Sequence, residues 1–113
     1  MENCLFCKIV NGEIPSAKVY EDELVYAFRD INPQAPVHVL AIPKKHVSSI
    51  SESGNLSDQE ISACFRAIRL IAEQEKLENG YRVISNCGPD ACQSVPHLHF
   101  HILGGRKMAE QMA

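Results

Sequence analysis

Along the chain the apolar residues change their period several times, and each change marks an element. Leu5, Phe6, Ile9 and Val10 recur at helical spacing before Gly12 and Pro15, which predicts a short helix within residues 3–11. Two β-prone runs, Ala17-Lys18-Val19-Tyr20 and Leu24-Val25-Tyr26-Ala27-Phe28, flank the polar Glu21-Asp22-Glu23 and predict a hairpin. Asn32-Pro33 and Ala35-Pro36 force a loop. Residues 37–42, Val-His-Val-Leu-Ala-Ile, form the next strand, closed by Pro43. Residues 46–55 are polar and serine-rich and give no firm pattern. Ser57-Asp58-Gln59-Glu60 has the spacing of a capping box, in which the Ser57 hydroxyl accepts from the Glu60 amide while the Glu60 carboxylate reaches back. Ile61, Cys64, Phe65, Ile68, Ile71 and Ala72 then mark one face of a long helix, with Asn79-Gly80 as its stop. A second stripe, Ala63, Ala67 and Leu70, either widens that face or meets a partner helix. Residues 81–85 read as a strand, 86–94 as a loop rich in turn residues, and 95–103 as the last strand, ended by Gly104-Gly105. Strands joined mostly by short loops predict an α+β fold with an antiparallel five-stranded sheet, one long helix and a short N-terminal helix.

Composition narrows the function. At 113 residues, with no repeat, linker or low-complexity tract, residues 1–113 are expected to form a single domain. Eleven basic residues against fourteen acidic ones leave a net charge of -3, which argues against nucleic-acid binding, because that needs a basic face. No apolar run reaches the 18 residues of a membrane span. Met1-Glu2-Asn3-Cys4 lacks the basic-then-apolar order of a leader, so a cytoplasmic protein is expected. Five cysteines, an odd number, argue against a disulfide framework in that compartment.

The chemistry concentrates in His97-Leu98-His99-Phe100-His101-Ile102-Leu103. On a strand, side chains alternate faces, so the three histidines share one face about 7 Å apart while Leu98, Phe100 and Ile102 share the other, buried one. Such a row of imidazoles can bind a metal, or it can catalyse, with one ring as nucleophile and its neighbours orienting it. Upstream, residues 86–94 (Asn-Cys-Gly-Pro-Asp-Ala-Cys-Gln-Ser) can present amides and hydroxyls to an anion, which makes a phosphate cradle plausible. Cys4-Leu5-Phe6-Cys7 places two sulfurs at zinc-ligand spacing, although a lone pair of this kind also fits inert thiols or a redox pair.

Residues 97–103 match the His-φ-His-φ-His-φ-φ signature (φ hydrophobic) of the histidine triad (HIT) superfamily at every position. The stretch Phe28 to Pro36, then His38, Ile42 to His46, Gln93-Ser94-Val95 and Leu103 to Arg106 resemble its Hint-like branch, so the resemblance runs over residues 3–106. It implies hydrolysis of purine nucleoside phosphoramidates and acyl-nucleotides to a nucleoside monophosphate through a nucleotidyl-histidine intermediate. His99 would be the nucleophile. His101 would contact the phosphate and help the leaving group, with Ser94 and the backbone around Cys92 also on the phosphate and His38 orienting the triad. Asn86, Cys92 and Gln93 would reach the phosphate region, and Asp30 the ribose hydroxyls. Phe6, Ile9, Ile14, Phe28 and Ile31 would line the base slot. An imidazole with the ordinary pKa of about 6.5 is mostly a free nucleophile at pH 7, and the resemblance requires no metal at the reacting phosphate.

The same resemblance implies a structural zinc held by Cys4, Cys7, His46 and His97, which removes His97 from acid–base work. It also implies a homodimer whose sheets join into one. Three departures stand out. Cys92 occupies a position where many Hint members have glycine, Pro96 interrupts the pairing of the last strand, and the tail Lys107 to Ala113 lacks an aromatic, proline-rich ending. A cysteine at 92, with another at 87, makes oxidation-sensitive activity conceivable. The rival readings are a dinucleoside polyphosphate hydrolase and a nucleotide-binding regulatory or interaction protein with little turnover.

Overall fold

The computed structural model describes residues 3–113; Met1 and Glu2, on which part of the leader reading rests, lie outside them. The elements in order are α1 (Leu5–Val10), β1 (Lys18–Glu21), β2 (Val25–Arg29), β3 (Val37–Pro43), α2 (Asp58–Gln74), β4 (Tyr81–Ile84) and β5 (Phe100–Gly104), with short 3-10 turns at Ile50–Asn55 and Pro89–Ala91. The five strands form one antiparallel sheet in the order β1-β2-β3-β5-β4, so the α+β expectation holds. No helix among the described residues is long and apolar enough to cross a membrane. All five cysteines are free thiols.

The period-two alternation gives the sheet two different faces. Val25, Ala27, Val39, Ala41 and Ile102 face α2, where Ala63, Cys64, Ala67, Ile68 and Ile71 complete the main core. Tyr26, Phe28, Leu40 and Ile42 face the other way and are covered by Phe6 and Ile9 of α1. The stripe of Ala63 and Ala67 therefore widens the core face of α2, because alanine lets the helix approach β3 closely. Phe65 departs from expectation: it is 63% exposed, on the flank of that face.

Three boundaries differ from the sequence reading. The capping box at Ser57 forms, with Ser57 Oγ accepting from the Glu60 amide and Glu60 Oε1 from the Ser57 amide. The helix, however, ends at Gln74, well before Asn79-Gly80. The Leu77 amide donates to the Ala72 carbonyl and the Lys76 amide to the Glu73 carbonyl, the pairing of a Schellman stop. Lys76 takes the left-handed φ of 60° that glycine usually supplies, and burial of Leu77 against the core fixes the turn there. β3 includes Pro43, whose carbonyl is used below.

The largest difference lies in the last strand, which begins at Phe100 rather than Val95. Continued pairing would bring Leu98 opposite Pro43, which has no N–H, and Pro96 lacks one too. Instead the Leu98 amide donates to the Val47 carbonyl, and the Ser85 hydroxyl donates to the His99 carbonyl just beyond the end of β4. Residues 95–99 thus leave the sheet while keeping the alternation of their side chains. The imidazole face is not an open row either, because α1 covers it and buries His97 and His99.

Ile71→Ala is expected to cost about 2–5 kcal/mol, because a wholly buried side chain leaves a cavity. Ser57→Ala is expected to cost about 1 kcal/mol through loss of the cap. Urea unfolding of the two variants against wild type measures both, with the larger effect at Ile71.

Candidate active site

His97 is fully buried, and its two ring nitrogens have different tasks. Nε2–H donates to the Pro43 carbonyl at 2.8 Å, so in the neutral ring Nδ1 keeps its lone pair. Burial, first of all, lowers the His97 pKa to about 4, so the ring is neutral at pH 7. Its Nδ1 lies 3.3 Å from Cys4 Sγ, 3.5 Å from Cys7 Sγ and 3.2 Å from His46 Nδ1, and Cys7 Sγ lies 3.4 Å from His46 Nδ1. All four donor atoms fall within 4.8 Å of one another. With metal–sulfur bonds of about 2.3 Å and metal–nitrogen bonds of about 2.0–2.1 Å, a tetrahedral ion separates sulfur from nitrogen by about 3.6 Å and two nitrogens by about 3.3 Å. The residues therefore fit zinc in donor type, number and spacing. The Pro43 carbonyl supplies the outer hydrogen bond that orients a metal-binding histidine. Burial, then the adjacent Cys4, pushes the Cys7 thiol up to about 11, so a pair of thiolates here needs a cation between them.

His99 is 3% exposed. Its Nδ1–H donates to the His97 carbonyl at 2.7 Å, so in the neutral ring the lone pair sits on Nε2. The Phe6 ring packs against this imidazole with centroids 5.1 Å apart and planes at 89°. His101 is a second neighbour, also at 5.1 Å.

His101 has the opposite polarity, and a backbone amide decides it. The Gln34 N–H donates to His38 Nδ1 at 3.0 Å, so neutral His38 must carry its proton on Nε2. That N–H donates to His101 Nδ1 at 2.9 Å, which leaves the His101 proton on Nε2. Burial lowers the His38 pKa, opposed by Asp30, whose Oδ2 is 3.5 Å away. Burial, then the neighbouring His99 and His38, lowers His101 to about 4, so both rings are neutral at pH 7. Asp30, His38 and His101 also bring three possible ligand atoms together. A metal on His38 Nε2 would force the proton onto Nδ1, against the Gln34 amide, so this group is a hydrogen-bond chain and not a second metal centre.

The remaining sequence candidates divide. Asp30 is half-buried, its Oδ1 accepting the Asn32 amide at 2.7 Å. Phe6, Ile9 and Phe28 lie in the apolar cluster beneath the histidines with Ile14 at its margin, whereas Ile31 stands 92% exposed beside Asp30. Asn86 is half-buried and Ser94 exposed, at the two ends of the 86–94 loop. The amides near Cys92, expected as a cradle, have internal partners: the Ala91 and Gln93 amides donate to the Gly88 carbonyl, and the Cys92 amide to the Pro89 carbonyl. These amides close the 3-10 turn. Gln93 is likewise a brace. Its Nε2 donates to the carbonyls of Ser48 and Val95, and its Oε1 accepts the Gly88 amide, so both of its donors are engaged within the loop. Cys92 adopts the left-handed φ of 59°, a conformation that costs a non-glycine residue about 1–2 kcal/mol. Two contributors escaped the sequence reading: the Gln34 amide and the Ser85 hydroxyl. A backbone donor carries no side-chain signal, and Ser85 falls within the strand that the sequence predicts over 81–85.

Comparison with known proteins follows this geometry. The profile of the HIT domain family matches residues 11–108. The chain is 49% identical over 106 residues to the 14 kDa zinc-binding protein of Zea mays, covering 92% of this chain and 83% of that protein. It is 42% identical over 113 residues to the purine nucleoside phosphoramidase of Escherichia coli, covering 99% and 95%. The solved structure of a HIT family hydrolase from Clostridium thermocellum superposes with a TM-score of 0.95 at 47% identity, covering 100% of this chain and 99% of that one.

The His101 geometry sets a pH dependence. The unfolded chain protonates this histidine near pH 6.5 and the folded chain only near pH 4, so the unfolded state binds more protons in between. Stability is therefore expected to fall as pH drops from about 6.5 to 4. Removing His101 is expected to flatten that fall by less than about 1.4 kcal/mol per pH unit, the limit for one proton. Urea midpoints of wild type and His101→Asn at pH 7, 6, 5 and 4 measure it.

Proposed function

This chain belongs to the HIT domain family, and on that premise we propose that it is a nucleotide hydrolase that cleaves purine nucleoside phosphoramidates and acyl-nucleotides. One observation carries the reading: two adjacent imidazoles, 5.1 Å apart, present a lone pair on His99 and an N–H on His101. A substitution at phosphorus needs that pairing of an electron-rich nucleophile and a proton donor for the leaving group.

His99 Nε2 attacks the α-phosphorus; the phosphorus–nitrogen bond breaks as the Nε2–phosphorus bond forms. His101 Nε2–H hydrogen-bonds and protonates the departing amine, and His38 holds His101 in the required tautomer. Water then attacks the nucleotidyl-imidazole, gives its proton to His101, and releases the monophosphate and free His99. Ser94 and Asn86 take the phosphate oxygens. Asp30 accepts from the ribose hydroxyls, and exposed Ile31 closes over the base above the Phe28 side of the apolar cluster. Cys92 and Gln93 shape the loop that carries Ser94 and Asn86.

Cys4, Cys7, His46 and His97 hold a structural zinc, which ties α1 to β3 and to the histidine segment; no chemical step runs through it. Reduced thiolates of this kind suit a reducing compartment, and we place the enzyme in the cytoplasm on that ground. The chain works as a homodimer of two single-domain protomers. The free edge of β4 and the apolar groove of about 170 Å³ between Ile50, Phe65 and Phe100 are where the second copy docks.

Two outcomes are expected. His99→Ala, folded by circular dichroism, loses at least about a thousandfold in kcat/KM on adenosine 5′-phosphoramidate, roughly 4 kcal/mol. Undiminished turnover in that variant refutes the mechanism, and a preference of wild type for diadenosine tetraphosphate moves the substrate class. Metal analysis of purified protein finds about one zinc per chain in wild type and almost none in Cys4→Ser. At free zinc a hundredfold above its Kd, wild type is about 2.7 kcal/mol more stable than its metal-stripped form, and Cys4→Ser lacks this increment.

A further inference from the structure

The ring of Phe6 is part of the catalytic geometry and not only of an apolar slot. Phe6 sits between Cys4 and Cys7 on the single turn and a half of α1. It is buried, and it packs T-shaped against His99 (5.1 Å) as well as against His97 (6.0 Å) and Phe28 (5.4 Å). The His99 ring makes one internal hydrogen bond, to the carbonyl of a residue two positions back in its own chain. One such bond fixes an edge of an imidazole but leaves it free to hinge about that edge. What limits the hinge is the matter packed against the ring, and its aromatic neighbours are His101 and Phe6. His101 is itself tied to His38. Phe6 is tied by the helix whose flanking cysteines meet His46 and His97.

We propose that Phe6 is a positioning residue for the nucleophile: its ring holds the His99 imidazole in the plane that aims Nε2 at the reacting phosphorus. The inference rests on the assignment of His99 as nucleophile. Near-attack geometry is sensitive to displacements of about 1 Å, so a flexible side chain of similar apolarity does not replace a flat wall.

The test compares Phe6→Leu with Tyr26→Leu, a substitution in the same apolar cluster at a ring that packs on Phe28. Substrates are adenosine and cytidine 5′-phosphoramidates and a ribose 5-phosphoramidate that lacks a base. Zinc content is checked in every preparation. Phe6→Leu is expected to lower kcat about tenfold on all three substrates, with KM within twofold, while Tyr26→Leu keeps wild-type kcat. Ring nitrogen NMR supplies a readout independent of turnover: wild-type His99 shows one Nδ1–H tautomer, and Phe6→Leu shows a mixture. A rise in KM with kcat intact, or a loss confined to substrates with a base, makes Phe6 a wall of the base slot and overturns the proposal. So does an unchanged kcat in Phe6→Leu where His99→Ala is inactive. If His99→Ala is itself active, the nucleophile assignment fails, and the NMR comparison alone then decides whether Phe6 orders the ring.

Discussion

The buried ring of His97 is the point on which the site depends. A neutral imidazole in the interior must satisfy one donor and one acceptor, and here each is committed in a different direction. The donor goes to the Pro43 carbonyl at the end of β3. The acceptor faces two sulfurs and a second imidazole. The ring thereby joins three pieces of chain that share no regular pairing: the one-and-a-half-turn α1, the end of β3 and the stretch before β5. A helix of six residues is far below the length at which helices persist alone, so α1 owes its position to this junction and to the burial of Phe6 and Ile9.

From that fixed ring, chemical polarity spreads through backbone groups. The His97 carbonyl takes the Nδ1 proton of His99 and turns its lone pair outward. The Gln34 amide does the reverse at one remove: by occupying His38 Nδ1 it sends the His38 proton to His101 and turns the outer proton of His101 toward the site. Neither outcome comes from the intrinsic chemistry of imidazole, which is the same in all four rings. It comes from whether the first main-chain partner is a carbonyl or an N–H. Because both partners are backbone atoms, no side-chain substitution short of proline removes them, and a tautomer blurs only where the ring is freed to swing away from its partner.

Much of the architecture was legible because it rests on periodicity. The hairpin, β3 and the capped start of α2 follow from alternation and a local four-residue pattern. What was illegible has a common cause, namely dependence on distant partners. The helix stop at Lys76 uses no glycine and is set by Leu77 finding the core. The late start of β5 reflects Pro43 on the neighbouring strand as much as Pro96 on its own. At the site, the three alternating histidines and the Cys4–Cys7 pair stand out because those residue types are chemically rare, while the full set of four donors came only from the resemblance to the HIT superfamily. Composition gave no sign that a turn engages the Gln93 side chain and the amides near Cys92, because it shows that donors exist and not which partners they have. It could not see Gln34, which acts through an atom every residue but proline possesses.

The histidines of this fold show why residue type alone underdetermines function. His97 lies deepest and meets sulfur, so its lone pair turns inward and it becomes a scaffold. His99, two residues later on the same face, meets a carbonyl and a phenyl wall, and its lone pair turns outward. His101, a further two residues on, lies partly exposed and meets another imidazole, and it presents a proton. The strand period puts the three on one face, but departure from the sheet before Phe100 lets His97 and His99 take partners that a regular ladder would have denied them. A continuous strand from Val95 would have committed the backbone carbonyl of His97, or that of His99, to cross-strand pairing. The prolines at 43 and 96 are thus part of the chemistry: by withholding two backbone donors they help to end the ladder before His97 and His99, whose carbonyls then serve the His99 ring and the Ser85 hydroxyl.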